Sequence, residues 1–335
     1  MTEFELIARY FTRPVRERQG VGDDCALIDV ADRTLAITTD LMAEGVHFFR
    51  HVDPASLGHK ALAVNLSDLA AAGARPRCFL LALSLPRADP DWLEAFSGAL
   101  FELARREGCE LIGGDTTGAA PVGDSDGPVT VCITAIGEVE RATLRGRGGA
   151  RVGDDLWVSG ELGDAALALA HARGEVPLGP QQARDCERRL LWPQPRVALG
   201  LALRGLASAA IDISDGLVGD LGHVLERSGV GAGVQVTQVP RSGAMRAVER
   251  TLQLRCVLAG GDDYELLFTA SPSNREAVVA AARHGGVEIT RIGTLTKEPG
   301  LRLVGESGID ATLRGFDHFA GKCQGPPSFD PTRRT

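Results

Sequence analysis

The chain has 335 residues, of which 44% are hydrophobic and 24% charged, and its formal net charge is −8. The length favours two domains of ordinary size, and the composition is that of a soluble globular protein. The acidic balance argues against a general nucleic-acid binder, no apolar run approaches the ~18 residues of a membrane span, and the first eleven residues lack a signal-peptide pattern.

Cysteine and lysine usage narrow the function classes further. The seven cysteines are scattered and never spaced Cys-x-x-Cys, which favours reduced thiols in a cytoplasmic protein over a disulfide framework or a zinc site. Only three lysines occur, and no Gly-x-x-x-x-Gly-Lys-Ser/Thr sequence is present, so a P-loop is excluded. If phosphates bind, metal ions and arginines must supply the positive charge.

The first half of the chain alternates predicted strands and helices. Residues 33–40 alternate in the way of a half-buried strand, and that strand ends on Asp40. Asp53 and Pro54 are a favourable N-cap and first helical residue, and predict a helix that runs to Gly73. Further along, the pattern predicts a strand over 78–85, a helix over 90–107, a short strand over 109–112 and a long strand over 129–139.

A Gly/Arg-rich stretch at 141–155 predicts a boundary between an N-terminal domain, 1–145, and a C-terminal domain, 146–323. The alternation then resumes, which favours two related α/β halves facing one cleft. Strands are predicted at 156–159, 209–213, 234–239, 264–269 and 287–292, and helices at 163–173, 184–191, 196–207, 217–228 and 272–284. The tail, 324–335, is expected to be disordered because it is short, polar and proline-rich.

Aspartates gather at the ends of these strands, usually beside glycine. The clusters are Gly22-Asp23-Asp24, Thr38-Thr39-Asp40, Asn65-Leu66-Ser67-Asp68, Gly113-Gly114-Asp115, Asp212-Ile213-Ser214-Asp215 and Gly260-Gly261-Asp262-Asp263. Packed anions repel each other and are costly to desolvate, so such groups call for a counter-charge. Mg²⁺ held by carboxylates together with substrate phosphates is a common natural one. The clusters therefore predict a metal-phosphate site.

Asp68 is the sharpest single signal. Its helix is apolar on most faces, and Asn65 and Asp68 form a polar stripe at i,i+3. A buried carboxylate of this kind needs a cation or a full set of donors, whereas a solvent-facing stripe on a half-buried helix is the alternative.

The remaining clusters each have an ordinary alternative. The glycine pair at 113–114 admits a phosphate close to the backbone, but it also suits a plain turn. Ser214 and Asp215 precede a predicted helix, where they could bind an anion or simply cap the helix. The acidic run at 262–265 could be a solvated charge run. Six such clusters in one chain favour the functional interpretation.

These stretches, in this order over nearly the whole chain and ending with Phe316-Asp317-His318-Phe319, resemble the thiamine-monophosphate kinase family. That family belongs to the aminoimidazole-ribonucleotide synthetase-like superfamily. The resemblance implies a two-domain α/β (α+β) fold, in which the N-terminal sheet forms a dimer barrel with a second subunit. The C-terminal α/β domain then completes the nucleotide cleft.

The resemblance also implies an activity and a set of site residues. The γ-phosphoryl group of ATP would pass to thiamine monophosphate, giving thiamine diphosphate in a homodimeric enzyme with several Mg²⁺ ions. Magnesium ligands would be Asp23, Thr38, Thr39, Asp40, Asp68, Asp115, Asp212 and Asp215. ATP would be bound by Gly114, Asp115, Arg147 and Ser214, and thiamine phosphate by His47, Asp262 and Phe316. In the family, the acid at 262 is commonly Glu and the aromatic residue at 316 is often Trp or Tyr. Arg145 or Arg151 could replace Arg147.

The acceptor is itself an anionic phosphate oxygen, so neither a strong general base nor a protein nucleophile is expected, and we expect direct in-line transfer. One alternative is another ATP-using enzyme of the superfamily, such as selenophosphate or aminoimidazole-ribonucleotide synthetase. A second alternative is a non-catalytic nucleotide- or metal-binding module.

Overall fold

The computed structural model describes residues 2–12, 21–123, 125–140, 146–306, 309 and 313–316. The expected disordered tail and the motif residues 317–319 lie outside these ranges. No helix within them is both long enough and apolar enough to cross a membrane.

The first half of the chain forms one five-stranded sheet with two long helices on it. A short helix α1 (Glu3–Leu6) and a π-helical turn (Ile7–Phe11) precede the sheet. The strands and helices of this half are β1 (Ala26–Val30), β2 (Arg33–Ala43), α2 (Pro54–Ala71), β3 (Arg75–Leu85), α3 (Pro90–Glu107), β4 (Glu110–Gly118) and β5 (Thr130–Val139).

The strand order is β1-β2-β5-β3-β4, and only the β3–β4 pair is parallel. Burial alternates strictly along β5, because successive side chains of a strand point to opposite faces of the sheet. One face of the sheet therefore packs against helices, and the other remains partly exposed, with Leu41 57% and Leu80 38% accessible.

The second half forms a six-stranded sheet in the order β11-β8-β10-β6-β9-β7. Its strands are β6 (Asp155–Ser159), β7 (Ala207–Asp212), β8 (Gly231–Gln235), β9 (Leu266–Ala270), β10 (Ile289–Thr296) and β11 (Gly300–Val304). Its helices are α4 (Asp164–Ala172), α5 (Pro180–Leu191), α6 (Val197–Ala202), α7 (Leu217–Ser228), α8 (Gly243–Ala247), α9 (Arg250–Ala259) and α10 (Arg275–His284). All residues of β6 and β9 are buried, as expected for strands in the middle of a covered sheet.

Helix α2 lies between the two halves and joins their cores. It begins as predicted, with the Asp53 carboxylate accepting the amides of Ala55 and Ser56 at 3.4 and 3.2 Å and Pro54 in the first turn. Its side chains share one hydrophobic core with the first sheet and with Phe268 of the second. The prediction of a helix buried on most sides is confirmed, and the polar residues of α2 are therefore held between the two sheets.

Several predictions of local structure differ from the structure. The helix expected over 196–207 ends at Ala202 as α6, and Ala207 already begins β7. The strand expected at 234–239 ends at Gln235 and continues as a 3₁₀ turn, Val236–Gln238. Gly113-Gly114-Asp115 does not follow a strand but lies inside β4, where the register shifts between Phe79 and Leu80 of β3. Helix α9 was not predicted, because its low amphipathicity leaves no periodic signal in the sequence.

Gly58 brings α2 and α3 into close backbone contact. A Cβ at Gly58 would lie 2.1 Å from the Phe96 carbonyl oxygen, so the helices would have to separate. We expect Gly58→Ala to destabilise the protein by about 1–3 kcal/mol, as overpacking does, measured by thermal or denaturant unfolding. Gly98→Ala in α3 is the matched control, because a Cβ there meets nothing within 4 Å. Equal stability of the two variants would contradict this packing.

Candidate metal and phosphate site

Three aspartates from distant parts of the chain meet at the junction of the two halves. Ligand oxygens of Asp24, Asp68 and Asp212 all lie within 4.8 Å of one another. Asp24 comes just before β1, Asp68 from α2 and Asp212 from the last residue of β7. We call these three residues the acidic triad. The predicted convergence of clusters from both halves is thus observed for Asp68 and Asp212.

Hydroxyl and guanidinium groups hold the triad carboxylates in place. Thr38 donates its hydroxyl to Asp68. Ser67 donates to Asp212 Oδ2 at 2.7 Å, and the Arg147 guanidinium donates to Asp24 Oδ1 at 2.6 and 3.0 Å. Each triad carboxylate is therefore oriented by a hydrogen bond to one of its oxygens, and its second oxygen remains available to a ligand.

Asp23 and Asp40 lie beside the triad. The Asp23 carboxylate accepts the backbone amide of Arg147 at 3.1 Å. A Cβ at Gly146 would come within 2.2 Å of Asp23 Oδ2, so glycine is needed for this contact. Asp40 is half-buried and shares the helix-facing side of β2 with Thr38.

Burial and mutual repulsion raise the pKa values of this group. Burial, and then the charge of Asp24, raise the pKa of Asp40 to about 6 and that of Asp212 to about 8. Burial and Asp24 likewise raise the pKa of Asp23 to about 6, and burial with Asp40 and Asp212 raises the pKa of Asp68 well above its usual range. The protein's own cations therefore do not neutralise the cluster.

The donor set fits a hard divalent cation. All three triad ligands are carboxylate oxygens, which Mg²⁺ prefers. Asp24 Oδ2 is buried without a hydrogen-bond partner, and such an atom is costly unless a cation or donor meets it. Asp24, Asp68 and Asp212 would hold the ion.

The raised pKa values predict an unusual pH dependence. An aspartate ionises near 3.9 in the unfolded chain, whereas Asp40 and Asp212 ionise only near 6 and 8 in the fold. Between about pH 4 and pH 8 the folded state therefore binds more protons than the unfolded chain. The metal-free protein loses stability through these two carboxyls as pH rises over that range. Because Mg²⁺ binds the ionised form, we expect the Mg²⁺-induced rise in thermal midpoint to be larger at pH 8 than at pH 6. An equal rise at both pH values would contradict this.

Ser214 and Asp215 lie in the turn between β7 and α7. The Asp215 amide donates to Asp220 Oδ2 at 3.1 Å, and the Asp215 carbonyl accepts the Phe316 amide at 2.9 Å. Burial, and then Asp215 and Asp212, raise the pKa of Asp220 well above its usual range. Asp220 is a further buried acid next to the site, and no sequence motif pointed to it.

A strained segment around Asp262 and Tyr264 lies against the end of β7, next to the site. Asp262 and Tyr264 have left-handed backbone conformations, with φ of +66° and +50°, which are rare for residues other than glycine. The amide of Asp262 donates to the Ser214 carbonyl and that of Tyr264 to the Ile213 carbonyl, both at 2.8 Å. These bonds fix the segment against the end of β7.

Asp262 also lines a mainly apolar pocket between the halves. The predicted substrate residue His47 lies in the same pocket, and its Nδ1 accepts the Ala43 amide at 3.0 Å. Lys60 forms an ion pair with Asp262 Oδ1 at 2.7 Å. The pocket is lined by Val46, His47, Phe48, Phe49, Val52, Ser56, Leu57, Lys60, Leu169, Arg173, Leu190, Leu191 and Asp262.

Thr39 and Asp115 lie away from the triad within one chain, and Phe316 is largely exposed. Thr39 points to the opposite face of β2, where its hydroxyl donates to the Ile133 carbonyl at 3.1 Å. Asp115 is exposed on β4, and two strands separate β4 from β2, a gap of about 14 Å. Phe316 is 52% exposed. These assignments stay predictions.

Gly114 keeps a backbone conformation that only glycine fits. Its φ is +151°, and a Cβ there would lie 1.8 Å from the Leu81 carbonyl oxygen. Of the three candidate arginines, Arg147 reaches the site through Asp24, whereas the Arg151 amide donates to Asp154 and Arg145 lies outside the described residues.

Known protein families and relatives match this chain over nearly its whole length. Residues 22–139 match the family model described as AIR synthase related protein, N-terminal domain, and residues 151–306 match AIR synthase related protein, C-terminal domain. The predicted fold class is thereby confirmed.

Relatives and solved structures extend this match. The chain is 45% identical over 328 residues to the thiamine-monophosphate kinase of Salmonella typhimurium, covering 95% of this chain and 98% of the relative. A crystal structure of thiamine-monophosphate kinase from Stenotrophomonas maltophilia is 44% identical, with a TM-score of 0.77, and covers 91% of this chain and 98% of that one. The structure of AaThiL complexed with AMPPCP and TMP is 29% identical, with a TM-score of 0.80, and covers 95% and 97%.

Proposed function

This chain belongs to the thiamine-monophosphate kinase family, and we propose that its acidic triad holds the magnesium ions for the phosphoryl transfer. The enzyme uses ATP to phosphorylate thiamine monophosphate, and thiamine diphosphate is the product. The observation that carries the metal proposal is the triad itself, with three carboxylates within 4.8 Å and one buried oxygen without a partner.

The reaction must bring two anions together. Two unit charges ~4 Å apart repel each other by roughly 4 kcal/mol at an intermediate effective dielectric. When bound, Mg²⁺ would supply the positive charge that offsets this repulsion and aligns the reacting oxygens. The protein orients its carboxylates for this purpose through Thr38, Ser67 and Arg147. The acceptor oxygen is already anionic, so no protein nucleophile or general base is assigned.

The site residues are proposed in three groups. Metal ligands are Asp23, Thr38, Thr39, Asp40, Asp68, Asp115, Asp212 and Asp215, to which the geometry adds Asp24. The ATP group is Gly114, Asp115, Arg147 and Ser214. Support for Arg147 comes from its position against Asp24 and Asp23, which places a guanidinium at the edge of the triad.

The pocket of His47 and Asp262 is proposed to bind the thiamine moiety. The thiazolium ring is an organic cation, which suits a carboxylate in an apolar, aromatic-lined pocket. Asp262 is one-third exposed, so a ligand can reach it, and Phe48 and Phe49 line the same pocket.

A homodimer is proposed because one chain leaves the first sheet incomplete. Every residue of β4 is exposed, including Ile112 at 59%. Strand β1 pairs with β2 only from Arg33 to Ile37, so residues 38–43 of β2 have no strand on that side among the described residues. Unpaired edges and an exposed apolar sheet face are covered when sheets join across subunits. A partner's β4 beside this stretch of β2 would bring its Asp115 towards Asp40.

A cytoplasmic location is proposed from the thiols. Six described cysteines are free, and four of them are buried. Buried free thiols are typical of proteins from a reducing compartment.

The function is tested by coupling ATP consumption to the acceptor. We expect turnover with thiamine monophosphate and Mg²⁺, none with EDTA, and none with unphosphorylated thiamine as the phosphoryl acceptor. Tight nucleotide binding without turnover would favour a non-catalytic binding module. Turnover with an unrelated acceptor only would favour another enzyme of the superfamily.

Phe316→Ala provides a test of the acceptor site. The Phe316 amide donates to the Asp215 carbonyl, so the residue is anchored next to the site by its backbone. If its ring faces the thiazolium, the variant should raise the KM for thiamine monophosphate by about tenfold, the effect of losing a cation–π contact of ~1 kcal/mol or more, and leave the KM for ATP unchanged. A change confined to ATP would contradict the assignment. Phe316→Trp should retain the affinity.

A further inference from the structure

Lys60 is a buried cation in an otherwise apolar stretch of α2. It is only 4% exposed, and the next residues of the helix are Ala61, Leu62 and Ala63. A buried ammonium group is costly unless it is paired. Its ion-pair partner is Asp262 at 2.7 Å, and its Nζ lies 5.9 Å from the centroid of the Tyr264 ring. The position demands a reason beyond packing, because an apolar side chain would fit such a helix at lower cost.

The contacts of Asp262 leave room for a second cation. Lys60 and the Tyr264 hydroxyl, at 3.2 Å, both use Oδ1 of Asp262. Oδ2 is therefore the oxygen left for a ligand in the pocket. A bound thiazolium would be a second cation beside the Asp262 carboxylate, in addition to Lys60. The phosphate of the same substrate would still need a cationic partner.

Lys60 shares helix α2 with Asp68 of the acidic triad. The two residues are eight positions apart, so about 80° of rotation separates their side chains, within one broad face of the helix. Tyr264, which stands under the ammonium, lies close enough to the triad for Asp40 and Asp212 to help raise the pKa of its phenol, after burial and Asp262. Lys60, which lines the thiamine pocket, thus lies next to a ring on which the aspartates of the metal site act.

We propose that Lys60 binds the phosphate of the acceptor. It pairs with Asp262 in the empty enzyme, and exchanges that carboxylate for the substrate phosphate when the thiazolium takes its place. The inference rests on the proposed role of Asp262 in binding the thiazolium. It makes Lys60 the residue by which the enzyme distinguishes thiamine monophosphate from thiamine.

The test compares binding of thiamine monophosphate and thiamine by calorimetry, with Mg²⁺ and AMPPCP present. Lys60→Met should weaken the binding of thiamine monophosphate by about ten- to a hundredfold, the usual effect of losing a hydrogen bond between charged groups. The affinity for thiamine should stay within about twofold of the wild-type value or increase, since Asp262 loses a competing cation. Lys60→Arg should restore most of the preference. The control is Lys297→Met, which removes an exposed lysine in the turn between β10 and β11 and should change neither ligand.

Equal weakening of both ligands in Lys60→Met, or no change in either, would overturn the inference. If Lys60→Met does not fold, as judged by its thermal midpoint, Lys60→Gln supplies a neutral side chain of intermediate length for the same comparison. Asp262→Asn distinguishes a failure of the proposed role of Asp262 from a failure of the proposed role of Lys60. If it leaves thiamine binding intact, the proposed role of Asp262 fails. If it weakens thiamine but Lys60→Met does not discriminate, the inference alone fails.

Discussion

Replacing Asp212 with asparagine is expected to lower turnover by about three orders of magnitude, since metal stabilisation of the transferred charge is worth several kcal/mol and ~1.4 kcal/mol is a factor of ten. Asp212 belongs to the acidic triad and accepts the Ser67 hydroxyl. An asparagine oxygen can accept the same hydrogen bond, so the local fold should survive while the ligand charge is lost. Turnover is measured at saturating ATP, thiamine monophosphate and Mg²⁺.

The same substitution should raise the thermal midpoint of the metal-free protein. Asp212 adds to the repulsion that raises the pKa of Asp68, and the neutral amide removes it. The stabilisation by Mg²⁺ should shrink in parallel. Asp164→Asn is the matched control, because Asp164 is also buried but bonds to Ser242 away from the triad. Wild-type turnover and Mg²⁺ stabilisation in Asp212→Asn would remove this residue from the metal site.

Mixing Asp115→Asn with Asp40→Asn is expected to restore activity that neither variant has alone. In one chain, Asp115 lies on β4 and Asp40 on β2, with β3 and β5 between them. If Asp115 acts in the partner's site, a mixed dimer has one intact site. Half of the dimers in an equal mixture are mixed, so about a quarter of wild-type activity should return after subunit exchange, as expected for a twofold-symmetric dimer.

A mixture of Asp40→Asn and Asp212→Asn is the control for this experiment. Both residues act on Asp68 within the same chain, so every site in the mixed dimer carries one defect and no activity should return. Failure of the first mixture despite demonstrated subunit exchange would place Asp115 outside the partner's site. Activity in both mixtures would show that the single variants are not defective.

Much of the fold was predictable because local signals agreed with tertiary packing. Helix α2 has a clear N-cap at Asp53, and β5 has strict alternation, so both were predicted within one or two residues of their ends. Helix α9 and strand β8 were missed or misplaced, because glycines and weak periodicity leave the choice to tertiary contacts.

The site was predictable as a set of clusters rather than as individual contacts. In the pair Asp23-Asp24 the sequence does not tell which carboxylate turns inward, and it is Asp24 that joins the triad. A lone lysine in an apolar helix, as at Lys60, is visible in the sequence. Its ion-pair partner Asp262 is 202 residues away along the chain, so the pair itself could not be predicted. The left-handed conformation of Tyr264 leaves no trace in the sequence.

The rigidity of α2 has a consequence for the length of the acceptor. Eight residues separate Lys60 from Asp68 along an unbroken helix fixed between two sheets, a span of about 12 Å. The helix therefore fixes the distance between the ammonium proposed to bind the acceptor's phosphate and a carboxylate proposed to hold the metal. An acceptor whose side arm is one carbon longer would set its phosphate about 1 Å out of line, a misplacement that can cost about a hundredfold in rate, even though its ring and its charge are unchanged.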